Sequence, residues 1–62
     1  MTIIEAIRAK MYPYDMPEAT LEFLLDEQGL QASDKYESLK HRAQLMQAAI
    51  NALYQLMTLS KE

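Results

Sequence analysis

The chain has 62 residues, half of them apolar, with a net charge of −3, no cysteine, one glycine and two prolines. That length holds one domain with a small core, and the lack of thiols excludes both disulfide staples and thiolate metal sites. The six basic residues are scattered, which argues against the basic face of a free-standing nucleic-acid binder.

Nine Leu, eight Ala and five Met, set against seven β-branched residues, favour helices over strands. The expected fold is all-α: residues 1–62 as one three-helix domain, with two short N-terminal helices on one long C-terminal helix. No uninterrupted apolar stretch approaches about 18 residues, so no membrane span is expected. The start, Met1 to Glu5, lacks a basic segment followed by an apolar run, so the expected location is cytoplasmic.

The first helix begins at Thr2. Thr2-Ile3-Ile4-Glu5 has capping-box spacing, in which the hydroxyl and the carboxylate each accept the other residue's amide. Ile4, Ile7 and Met11 follow at helical spacing with Ile3 beside them, and Arg8 and Lys10 suit the negative end of the helix dipole. Pro13 disfavours helical geometry at Tyr12, so the helix stops there.

Tyr12-Pro13-Tyr14-Asp15 reads as a short linker. Asp15 is the expected N-cap of the second helix, because Asp15-Met16-Pro17-Glu18 repeats the capping spacing and proline in a first turn wastes no amide. Ala19, Leu21, Leu24 and Leu25 are the expected inward positions. Gly29 sits where a left-handed residue ends a helix, with Leu25 and Leu30 placed to touch across a Schellman turn. The second connection, Gln31 to Asp34, is short, and Ser33 or Asp34 is expected to cap the third helix.

From Tyr36 to Glu62 there is no Gly and no Pro. Tyr36, Leu39, Ala43, Met46, Ile50, Leu53 and Met57 recur at alternating spacings of three and four, a heptad stripe on one long helix. Leu45, Ala49, Ala52, Leu56 and Leu59 make a second stripe beside it, so the apolar arc is wide in the C-terminal half. The heptad stripe is the expected seat of helices one and two. The second stripe is either covered within a compact monomer or packs on another chain; the lack of any staple favours another chain, since association supplies missing burial. Leu45, Ala49, Ala52, Leu56 and Leu59 are therefore candidate interface residues, and Tyr12 and Tyr14 form a candidate contact patch. Ser60 to Glu62 are expected to fray.

Catalytic chemistry is not expected. His41 is the only histidine and has a single candidate co-ligand, Glu37, which does not make a metal site. Glu18, Glu22 and Asp26 form an acidic ridge, with Asp15 leading into it, that reads as a solvated face. One glycine cannot build a phosphate-cradling loop. No enzyme activity, cofactor, metal or small-molecule substrate is expected; the expected partner is protein, foremost a second copy.

Thr2 to Ile7, the Tyr12-Pro13-Tyr14 linker, Leu21 to Leu25 and Gly29-Leu30, in that order, resemble small phage and prophage head–tail connector (adaptor) proteins. The chain is also similar to an uncharacterised family of short helical proteins from gut anaerobes, which share the Tyr-Pro-Tyr segment, the Gly-Leu turn and a start to the last helix like Asp34-Lys35-Tyr36. The resemblance implies a non-enzymatic structural role, virion-associated if phage-derived. An antitoxin-like binder of a different protein is the alternative.

Overall fold

Helix α1 spans Ile3–Met11, α2 Glu18–Glu27 and α3 Ser38–Leu59. The structure, a computed structural model, describes residues 1–59, without the side chain of Leu59. The expected fraying of Ser60 to Glu62 lies outside the described residues. The two short helices pack along α3 and meet each other over only a short stretch, as the all-α expectation has it. The result is a rod of 37 × 18 × 18 Å, its length set by α3.

The capping box forms as expected. The Thr2 hydroxyl accepts from the Glu5 amide at 3.3 Å, and Glu5 Oε1 accepts from the Thr2 amide at 2.8 Å. Two more amides of the first turn find partners far along the chain. Ile3 N–H donates to the Asp34 carbonyl at 2.8 Å, and Ile4 N–H to the Ala32 carbonyl at 3.0 Å. Tyr36 N–H closes the circuit by donating to the Met1 carbonyl at 2.9 Å. The connection before α3 thus caps α1, satisfying amides that helix geometry leaves without an internal acceptor.

This use of the connection corrects the expected start of α3. Asp34 lies beside an isolated antiparallel bridge between Thr2 and Lys35, and the helix begins only at Ser38. The connection therefore runs from 28 to 37, longer than expected. The first hydrogen bonds of α3 come from the Lys40 and His41 amides to the Glu37 carbonyl. His41 supplies the side-chain cap: its Nδ1 accepts from the Glu37 amide at 3.1 Å, which places the proton of the neutral ring on Nε2.

Asp15 is a second correction. It does not cap α2, whose N-cap is Pro17 and whose first bonds run from Thr20 and Leu21 to the Pro17 carbonyl. Asp15 Oδ1 instead accepts from the Met16 amide and pairs with Arg8 Nη1 at 2.9 Å across the linker. At the far end of α2 the Schellman turn is complete. Leu30 N–H reaches the Leu25 carbonyl and Gly29 N–H the Asp26 carbonyl, both at 2.9 Å, with Gly29 at φ +76°.

The core joins Ile3, Ala6, Ile7 and Met11 of α1, Leu21, Leu24 and Leu25 of α2, Met16 and Leu30 of the connections, and Leu45, Ala48, Ala49 and Ala52 of α3. Ala19, expected inward, is exposed.

Candidate interaction surface

The two stripes of α3 exchange the roles expected of them. Leu45 and Ala52 are fully buried and Ala49 nearly so, all within the single chain. They are therefore the seat of α1 and α2, and these three candidate interface residues are core residues. Leu56 is half-buried against the same core. Leu59 closes the helix, and its side chain lies outside the described ones. Most of the heptad stripe, expected to be covered, faces outward, with only Tyr36 and Leu53 packed partly against the core: Leu39 is 102% exposed, Met57 68%, Ile50 51% and Met46 44%. Ala43 is exposed with them, and Leu53 is half-buried.

Side-chain size explains the exchange. The inward arc carries Ala48, Ala49 and Ala52 between Leu45 and Leu56. Small residues let two helices approach α3 closely, and interaxial distance follows side-chain size at the contact. Leu, Met and Ile along the heptad stripe would hold those helices farther off. At about 100° per residue, Leu45, Ala48, Ala49, Ala52 and Leu56 span about 100° of the helix surface. Leu53, Met46, Leu39, Met57, Ile50, Ala43 and Tyr54 occupy the next 100° or so. Tyr54, 70% exposed, is a surface residue that the heptad series alone did not single out. Phe23, 61% exposed on the outer side of α2, is another.

The candidate tyrosines stay on the surface, Tyr12 at 83% exposed and Tyr14 at 63%. Tyr14 belongs with the α3 stripe. It lines an open apolar hollow of about 550 Å³ with Leu53, Leu56 and Met57. A second shallow hollow lies at the opposite end of the helix, bordered by Ser38, Leu39, Arg42, Ala43 and Met46. The exposed face thus has a hollow at each end, joined by Ile50.

Electrostatics around the termini are local. The Thr2 amide hydrogen bond, above all, holds the Glu5 carboxyl below the usual range; its partial desolvation opposes this, while the Thr2 hydroxyl and the N-terminal ammonium reinforce it. The Tyr36 ring lies tilted against His41, with centroids 6.2 Å apart. Glu37 meets His41 through its backbone amide. Among the described residues no cluster of three or more His, Asp or Glu side chains could hold a metal ion. No helix among them is long and apolar enough to cross a membrane.

A model for a family of unknown function, DUF6706, matches residues 1–62. The chain belongs to the DUF6706 family. No curated protein and no solved structure matches it. Membership in DUF6706 fixes kinship along the whole chain and assigns no activity.

Proposed function

We propose that the chain is a non-enzymatic structural module that associates with further copies of itself through the exposed heptad stripe of α3. The observation that carries this reading is the outward row of Leu39, Ala43, Met46, Ile50 and Met57. A 4-3-4 apolar repeat on one helix is the pattern that packs against a like helix. Leu39, Met46, Ile50, Tyr54 and Met57 expose between them about three whole side chains of surface. Burying that much contributes about 5–10 kcal/mol per copy, at about 1.5–3 kcal/mol per side chain. Two copies together offset an association cost of about 4–15 kcal/mol.

Leu39 gives a clean test because it is fully exposed in the single chain, so Leu39→Asp leaves the core intact. Sedimentation of the wild type at high micromolar concentration should give a mass above the 7.2 kDa of one chain. Leu39→Asp should return it to one chain with unchanged helicity. A wild type that sediments as a single chain throughout defeats the reading. The likeness to phage and prophage connectors supplies a setting, a small helical part of a larger assembly in the cytoplasm or the virion. Neighbouring capsid, portal or tail genes would support that setting.

The exposure of Tyr12 and Tyr14 favours a second reading, an antitoxin-like binder of a different protein. A chain that is monomeric alone, and forms a one-to-one complex lost on replacing both tyrosines with Ala, would select it.

A further inference from the structure

Resting on the proposed self-association, we infer that two copies pair antiparallel along α3, with Leu39 of each seated in the hollow formed by Tyr14, Leu53, Leu56 and Met57 of the other. Three features of the exposed face point to this arrangement.

The first is shape. Leu39 is the most exposed of the large apolar side chains among the described residues, standing clear of the rest of its own chain. The hollow of Tyr14, Leu53, Leu56 and Met57 lies at the opposite end of the same face. Leu39 and Met57 are about 27 Å apart along the helix, at 1.5 Å per residue. One chain cannot bring knob and hollow together. A second copy running the other way brings them together twice, since a two-fold axis makes every contact reciprocal. With Leu39 opposite Met57, Ala43 falls opposite Leu53 and Met46 opposite Ile50. The small residue then meets a larger one, and the axis passes level with Ala48.

The second is charge. Within Ser38–Leu59 the cations Lys40 and Arg42 stand near the N-terminus, and there is no acidic residue. A parallel pair would gather four of these cations at one end, beside two positive helix termini that already disfavour them. Antiparallel pairing separates them along the length of the rod and opposes the two helix dipoles. The third is the flank of the stripe. In this register Lys40 of one copy lies alongside the partner's Tyr54, and an exposed ring is a favourable neighbour for an ammonium group.

The absence of cysteine in the natural chain allows site-specific labelling. A nitroxide on Lys40→Cys, measured by pulsed dipolar spectroscopy on the full chain, reads the orientation. The antiparallel pair sets the two positions about 24 Å apart along the axis. A parallel pair with an interaxial distance of about 8–10 Å keeps them within roughly 15 Å. A label on Gln47→Cys, near the two-fold axis, should report a short distance. The expected result is a long distance at Lys40 with a short one at Gln47, both abolished by Leu39→Asp. A short distance at Lys40 overturns the antiparallel arrangement and leaves self-association standing. A long distance at Gln47 overturns the register. A monomeric chain without any intermolecular distance overturns this inference together with the reading on which it rests.

Discussion

Gly29 ends α2 in a left-handed conformation, at φ +76°, with open space where a Cβ would stand. The cost of Gly29→Ala is therefore backbone strain alone, about 1 kcal/mol. In a domain this small that should lower the melting temperature by roughly 4–8 °C. Glu5 offers a pH test. Its carboxyl is held low in the folded chain, chiefly by the Thr2 amide, so the stability it contributes is complete above its unfolded pKa. That contribution is lost as pH falls through the lowered folded value, below the usual carboxylate range. Glu5→Gln keeps an acceptor for the Thr2 amide and removes the titration. Its stability in thermal melts should be flatter than the wild type's across that acid window. Both motifs were legible in the sequence because their partners lie three to five residues apart. Asp15 and Asp34 were not, because each has a competing environment that a local pattern omits: Arg8 for Asp15, and the first turn of α1 for the connection around Asp34.

Helix α3 shows what periodicity does and does not specify. The spacing of its two stripes was legible; which stripe faces inward was not. Both stripes alternate by threes and fours, and the heptad series carries the larger side chains. Hydrophobicity alone favours the wrong stripe. The deciding quantity is how closely α1 and α2 can approach, and the Ala48, Ala49 and Ala52 cluster settles it. The exchange has a measurable signature. Leu45→Ala removes a fully buried side chain and should destabilise the chain by about 2–5 kcal/mol, enough to unfold much of so small a domain. Leu39→Ala, at the fully exposed position, should leave the stability of the isolated chain within about 0.5 kcal/mol. Equal losses in denaturant melts would contradict the burial of Leu45 and the exposure of Leu39 in the single chain. The same contrast makes Leu56 a poor probe of association, since it packs against the core and its replacement perturbs folding as well.

At the scale of the molecule, the three-helix architecture followed from composition, one glycine, two prolines and a long run free of both. The contact surface did not follow, because exposure is a property of the assembled fold. If copies associate through α3, folding and association are linked by mass action. The melting temperature should then rise with protein concentration for the wild type and stay constant for Leu39→Asp. A concentration-independent wild type would leave the exposed stripe without an energetic role.

The hydrogen bonds between the start of the chain and residues 32 to 36 also change how the fold divides. Met1 and Tyr36 are neighbours in space, joined through the Met1 carbonyl and the Tyr36 amide, so the first 36 residues form a ring closed by backbone rather than by a covalent bond. Helix α3 is a strut fastened across that ring. The first turn of α1 cannot loosen without releasing the segment that leads into the strut, so what opens locally in many small helical chains must here open at two places at once.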